Sequence, residues 1–420
     1  MNIIEKILKV HSVDEKNEVI PGDIVEVRVD KVIMLDMVSV HPEFMNNPPK
    51  RPFDVSKVAV IFDHYVPPPT IEIATNVEKI RKLVKTWGVK QFFDYGRGGI
   101  SHAFAAESGW LLPGRIVINS DSHTIAAGGY NALGKGVGTP ELIQVICTGK
   151  TWFIVGETNK IMLHGSLKPS IEAKDVFLEM AQKIGDIPNQ NVEFGGEGIK
   201  TLTIDDRAVI STMCAELGAE FAIFPFDGLL EEYLRDKAES VYKPVYADPD
   251  ARYKEKYDIE LDKIEPLVAL PDKVAKNVKS VREVEGTPID LAVVGSCANG
   301  RLNDIAIVAK ILDGKRVHPD VKLIVTPATQ RIYLEAEKRG YISKIIQAGG
   351  LVTNSTCGAC FGGHMGVAGT GQTVITSTTR NFKGRMGSPE AKIYIGSSAT
   401  VAASALYGVI TDPRKVLGYE

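Results

Sequence analysis

"DLAVVGSCANGR", residues 290–301, is the stretch from which the fold can be argued. It opens with a short apolar run rich in β-branched residues. Gly295 and Ser296 then break the run, and Cys297 follows directly. A continuous apolar run of this length, bounded by turn residues, is the pattern of a strand covered on both faces. Open α/β sheets bind their ligands just beyond the carboxyl ends of such strands. A cysteine in that place is therefore a candidate for chemistry.

The arrangement recurs three times. "VAVIF" (58–62) runs into Asp63–His64, "RIVIN" (115–119) runs through Ser120 into Asp121–Ser122–His123, and "GGLVTNST" (349–356) runs into Cys357. Further strands are expected at "KLIVT" (322–326) and "KIYIG" (392–396). Helices are expected at "VEKIRKLVKTWG" (77–88), "ATQRIYLEAEKRG" (328–340) and "SSATVAASALYG" (397–408), with glycine as the stop signal. Strands alternating with helices give an α/β fold of layered sheets.

At 420 residues the chain calls for two to three domains. The pattern turns polar around 152–158. A long charged stretch over 236–290 reads as a surface excursion plus linker. The expected division is 1–157, 158–272 and 273–420.

A net charge of −3 gives no global reason to bind nucleic acid or an anionic membrane. The first residues are broken by charge and lack a signal-peptide core, and no segment has the roughly 20 apolar residues of a membrane span. The expectation is a cytoplasmic protein without a nucleic-acid or membrane partner. Five cysteines, an odd number, argue against a disulfide framework there.

"TNSTCGACFGGHMG" (353–366) pairs Cys357 with Cys360 among glycines. A redox pair would use these two alone and leave Cys297 unexplained. Zinc could take Cys297, Cys357, Cys360 and His364, a Cys3His set. An iron–sulfur cluster held by three thiolates would leave one iron open as a Lewis acid, with glycines letting the backbone approach the cluster. Cys147 and Cys214 lie in apolar helical contexts and are expected as buried small hydrophobes. His64 and His123 lie beside or near an aspartate, and His102 sits in "GGISHAFAAES". A carboxylate that accepts from histidine orients the ring and holds it charged for proton donation. Arg380 and Arg385 in "STTRNFKGRMG" (377–387) suit a small polyanionic acid.

Taken together, "GSCANGR", "CGAC", "TTRNFKGRMG", "FDH" and "SDSHT" resemble the aconitase superfamily, nearest to its large subunits of the 3-isopropylmalate dehydratase and homoaconitase type. The resemblance runs over nearly the whole chain. It implies three α/β domains around a central [4Fe–4S] cluster, without the fourth, swivelling domain, which in this subfamily is a separate small subunit that carries the base. It implies Cys297, Cys357 and Cys360 as the cluster ligands, with one open iron. Asp63–His64 would protonate the leaving hydroxyl. His102 with Asp121, and His123 with Glu193 in "NVEFGG", would be two further carboxylate–histidine pairs. Ser122, Arg380 and Arg385 would bind a di- or tricarboxylic acid. The implied reaction moves a hydroxyl between adjacent carbons of a substituted malate by dehydration and rehydration, and needs the small subunit. Homoaconitase and methyl-substituted malate dehydratase are the alternatives within the family, and a cluster-binding regulator without catalysis is the alternative outside enzymes.

Three positions depart from the family's usual residues: Leu35 before Asp36, where glutamine or histidine is usual, Thr379, where asparagine is usual, and Ser101 in "GISH". Leu35 is expected near the substrate, where it would favour an apolar substituent over a third carboxylate.

Overall fold

The computed structural model describes residues 1–419. Its strands fall into three successive groups along the chain. The first holds β1 (Ile24–Arg28), β2 (Lys31–Leu35), β3 (Val58–Ile61), β4 (Phe92–Phe93), β5 (Ile116–Asn119), β6 (Leu133–Gly136) and β7 (Lys150–Ile154). Strands β2 to β6 form a fully parallel sheet in the order β4-β3-β2-β5-β6, and β1 and β7 pair as a separate antiparallel ribbon. The second group, β8 (Thr158–His164), β9 (Asn191–Gly195), β10 (Ala222–Ile223) and β11 (Lys256–Glu260), makes a parallel sheet in the order β10-β9-β8-β11. The third holds β12 (Leu267–Ala269), β13 (Val278–Ser280), β14 (Leu291–Gly295), β15 (Lys322–Thr326), β16 (Leu351–Val352), β17 (Thr373–Thr376) and β18 (Lys392–Gly396), ordered β13-β12-β18-β17-β14-β15-β16. Only β12 runs against the others there, and it pairs antiparallel with β13 on one side and β18 on the other.

The first and third sheets repeat one topology. Numbered from β2 and from β14, the parallel strands of each lie in the order 3-2-1-4-5. The chain therefore reverses direction across each sheet between β2 and β5, and again between β14 and β17. Crevices at such reversals are where doubly wound sheets hold their ligands.

The apolar runs behave as their composition requires. Val32, Met34, Val58 and Val60 pack on one face of the first sheet, and Ile33, Leu35, Ala59 and Ile61 on the other, so every residue of β2 and β3 is buried. The helix Ile71–Trp87 is capped by the Thr70 side chain, which accepts from Ile73 N, and stops at Gly88 with φ +75°. Ser397 likewise caps the helix Ser398–Tyr407, which ends at Gly408.

The charged stretch 236–290 is not a linker. It contributes β11 to the second sheet and β12 and β13 to the third. The charge has a physical reason, because β11 is an edge strand whose side chains alternate between solvent and core. The third sheet thus begins at Leu267, before residue 273.

The units interlock where side chains are absent. A Cβ on Gly128 would stand 1.6 Å from the carbonyl oxygen of Ala222, at the start of β10. A Cβ on Gly99 would stand 2.5 Å from Cα of Thr329, with which Gly99 forms an isolated β-bridge between the first and third units.

Candidate active site

The chain beyond β3 carries the first pair. Asp63 is fully buried and its carboxylate is divided between two donors. Oδ1 lies 2.6 Å from Nδ1 of His64, and Oδ2 accepts from the backbone N–H of Ser101 at 2.8 Å. Nδ1 is thereby fixed as the protonated nitrogen, and Nε2 faces the crevice 3.9 Å from Oδ2 of Asp121. Burial alone would drive the imidazole neutral. Asp63, Asp121 and Asp36 together pull the other way, Asp63 most, and the net pKa is about 9. His64 is a charged donor at neutral pH.

Beyond β5, Asp121 caps a 3-10 turn by accepting from His123 N at 2.8 Å. His123 does not meet Glu193. Its Nε2 lies 2.8 Å from Oε1 of Glu216, whose Oε2 accepts from Arg380 Nε at 3.0 Å, while Arg380 Nη2 donates to Ser122 Oγ at 2.9 Å. Ser122, His123, Glu216 and Arg380 thus form one chain of polar contacts drawn from all three units. Burial would push His123 down, but Cys297, Glu216 and Asp121 hold it up at about 10.

Glu193 is bonded to other residues. It lies within β9, where its carboxylate accepts from Lys160 Nζ and Tyr253 OH, both at 2.7 Å, and from Ile3 N at 2.8 Å. An acid inside an apolar strand is committed to the neighbouring strands, whereas one just past a helix end can face a crevice. Glu216 is of the second kind, in the short turn that follows the helix Ile204–Met213. The sequence signal was "CAELG", an acid between a helix end and a glycine stop. Glu193→Ala should therefore leave kcat unchanged while costing about 3 kcal/mol of stability, because Lys160 loses its partner. Thermal unfolding beside turnover checks this, and a large drop in kcat at unchanged stability would return Glu193 to the site.

His102 is not paired with Asp121. The Asp121 oxygens are taken up by His123 N and by the facing rings of His123 and His64. Both ring nitrogens of His102 are buried without a hydrogen-bond partner among the described residues. Its ring lies 6.4 Å from that of His123.

The thiols come from the third unit. Gly295 and Ser296, both at positive φ, turn the chain at the end of β14 so that Cys297 enters a one-turn helix, buried. Cys357 and Cys360 flank the start and middle of the turn beyond β16 and are also buried. All five cysteines are free thiols. Cys357 N donates to Asp63 O at 2.8 Å, and Thr356 Oγ1 donates to the same oxygen at 2.8 Å. Ligand atoms of Asp63, His64, Asp121 and Cys357 all lie within 4.8 Å of one another. Although burial opposes it, His123 and His102 bring the Cys297 thiol down to about 5. Burial raises Cys357, with Asp63 and Asp121 adding to it. Burial opposes ionisation of Cys360 most strongly, but Arg385, whose Nη2 lies 3.7 Å from the sulfur, His123 and the Thr379 backbone together lower it.

His364 is not arranged as a fourth thiol-site ligand. Its Nε2 is 2.6 Å from the backbone oxygen of His64. What surrounds the thiols instead is a set of unspent polar atoms: both nitrogens of His102, Arg385 Nε, Ser296 Oγ and Ser355 Oγ are buried without partners among the described residues. Buried polar atoms in that number need a ligand to satisfy them. Three reduced thiols with idle donors fit a sulfur-rich inorganic group.

Other expectations change. Leu35 is fully buried in the core with Ile33, Ala59 and Ile61, on the face opposite Met34, so it lines no substrate opening. Strand alternation decides this, since β2 extends through Leu35. Cys147 is exposed, at the end of the helix Thr139–Thr148, while Cys214 is buried. Thr379 Oγ1 lies 3.7 Å from Cys360 Sγ. Two buried residues in this region had not been singled out. Lys174 donates to Thr378 O at 3.0 Å, and Asp36 accepts from the loop that carries His64.

The profile of the aconitase family (aconitate hydratase) matches residues 5–408. The chain is 46% identical to the 3-isopropylmalate dehydratase large subunit of Mycolicibacterium smegmatis, over 99% of this chain and 98% of that one. It is 44% identical to the large subunit so named in Thermoanaerobacter pseudethanolicus, over 97% and 98% of the two chains. Among solved structures, aconitase X of Thermococcus kodakaraensis in its holo form superposes with a TM-score of 0.53 at 13% identity, covering 87% of this chain and 88% of that one, a likeness of fold alone.

Proposed function

This chain belongs to the aconitase family, and from that premise we propose that it is the cluster-carrying large subunit of a 3-isopropylmalate dehydratase. It is a hydro-lyase that moves a hydroxyl between adjacent carbons of a substituted malate by removing and re-adding water. The observation that carries this reading is the convergence of strand ends from two sheets, which brings the charged His64 together with Asp63, Asp121 and the thiol of Cys357 within 4.8 Å.

A [4Fe–4S] cluster held by Cys297, Cys357 and Cys360, with one iron open, would supply a Lewis acid for the substrate's hydroxyl and carboxylate. The remaining roles belong to side chains. Asp63 holds Nδ1 of His64, so the proton at Nε2 is the one delivered to the leaving hydroxyl, which departs as water. The reverse transfer restores His64 when water adds to the neighbouring carbon. Arg380, already bonded to Ser122, receives one substrate carboxylate, and Arg385 a second. Glu216 fixes His123 and Arg380 with its two oxygens and so sets the distance between the proton-handling side and the carboxylate-binding side. His102, with both nitrogens free of protein partners, faces the water that leaves and returns.

The relatives' name, "large subunit", supports a small-subunit partner, and in this reading that partner supplies the base that removes the carbon-bound proton. No helix of the described residues is long and apolar enough to cross a membrane.

The test is reconstitution under anaerobic conditions with a small subunit of the isopropylmalate dehydratase type. The pair is expected to turn over 3-isopropylmalate, and the chain alone is not. Robust turnover by the isolated chain would place the base within these residues. A preference for homoaconitate above about tenfold in kcat/KM, roughly 1.4 kcal/mol of transition-state binding, would move the reading to homoaconitase.

A further inference from the structure

Asp36 follows β2 directly and its side chain is fully buried. No lysine or arginine pairs with it among the described residues. Instead three consecutive backbone amides converge on its carboxylate. Oδ1 accepts from Asp63 N at 3.1 Å and from His64 N at 3.0 Å, and Oδ2 accepts from Tyr65 N at 2.6 Å. Strands β2 and β3 are paired in register up to Leu35 and Ile61. Beyond that point the ladder ends, and the chain leaving β3 turns its amides onto a side chain from the neighbouring strand.

The geometry demands a carboxylate. Asparagine has the same shape but one acceptor oxygen, and its amide group would set a donor against the Tyr65 N–H. Serine and threonine reach one amide at most. Only a short side chain with two accepting oxygens satisfies all three donors, and a charged acceptor makes such bonds shorter and stronger. The carbonyls of the same segment are held from the opposite side by Thr356, Cys357 and His364. The amides depend on Asp36.

We propose that Asp36 is a positioning residue for the reaction: by gripping the amides of residues 63–65 it fixes the backbone from which the His64 imidazole reaches the leaving hydroxyl. Among the described residues its side chain accepts from these three amides alone, and it acts through His64. The proposal rests on His64 being the proton donor. Displacement of a catalytic group by about 1 Å can cost on the order of 100-fold in rate.

The deciding variant is Asp36→Asn in the reconstituted, iron-loaded enzyme, alone and combined with His64→Ala. Three quantities are read: kcat, KM for 3-isopropylmalate and iron per chain. Asp36→Asn should lower kcat about 100-fold, with KM and iron content unchanged. In the His64→Ala background it should lower the residual rate no further, because the group it positions is gone. A merely structural role would instead lower both backgrounds equally, or lower iron content and kcat in parallel, and either result overturns the proposal. So does an insoluble Asn variant, which would assign Asp36 to folding. Full activity in Asp36→Asn beside an impaired His64→Ala removes the role of Asp36 alone. Full activity in His64→Ala removes His64 from the chemistry, and with it any role for Asp36 through that ring.

Discussion

Cys357→Ser is expected to abolish both iron binding and turnover, leaving a colourless protein. Cys357 is buried, and its sulfur lies within 4.8 Å of ligand atoms of Asp63, His64 and Asp121. A serine hydroxyl keeps the shape but is a much poorer ligand for iron than a thiolate. Its backbone N–H still bonds Asp63 O, so the loop stays seated and the loss is one of ligation. Anaerobically prepared protein should carry about four irons per chain, and the variant close to none. Cys297→Ser should behave alike. Cys147→Ser, changed at an exposed helix end, should keep both colour and rate. If Cys357→Ser retained its iron, or if the parent protein held a single zinc, the three-thiolate reading would be wrong.

His64→Ala is the second large effect, and it should separate from the first. The imidazole is held charged by Asp63 and is tied to it through Nδ1. Its removal leaves the leaving hydroxyl without a proton source, and general acid catalysis of this kind contributes about 10² to 10⁴ in rate. Iron content and colour should remain, because His64 contributes no thiol and the loop 353–366 bonds only its backbone oxygen. Asp63→Asn should fall between His64→Ala and the parent, since the ring loses its orientation and charge but keeps its place. A His64→Ala variant within a few-fold of the parent in kcat would transfer the proton to another donor, with His102 the first to examine.

Much of this site was legible because parallel sheets place chemistry by a simple rule. Runs such as "VAVIF" and "DLAVV" could be recognised from composition, and the residues after them had to gather at the carboxyl ends. That rule points to Asp63, His64, Asp121, His123, Cys297 and Cys357, all of which lie beyond the carboxyl ends of strands. It failed where partners lie on other elements. Glu193 and Glu216 are both acids in the second unit, and nothing local says which one faces His123. The answer depends on how the helix Ile204–Met213 packs against the turn Ser122–Tyr130, a contact opened by Gly129. Leu35 was misplaced for a smaller reason, since a strand one residue shorter would have freed its side chain. Asp36 was passed over because a carboxylate bonded only to amides has no signature in side-chain spacing. The strands within 236–290 were hidden because an edge strand is allowed the charges of a loop.

The cysteine loop also acts as a latch. Thr356, Cys357 and His364 hold the two carbonyl oxygens of the acid pair from across the crevice. Oxidative damage that springs this loop would unfasten the proton donor in the same event. The thiols of Cys357 and Cys360 and the seating of the proton donor are thereby tied to one loop.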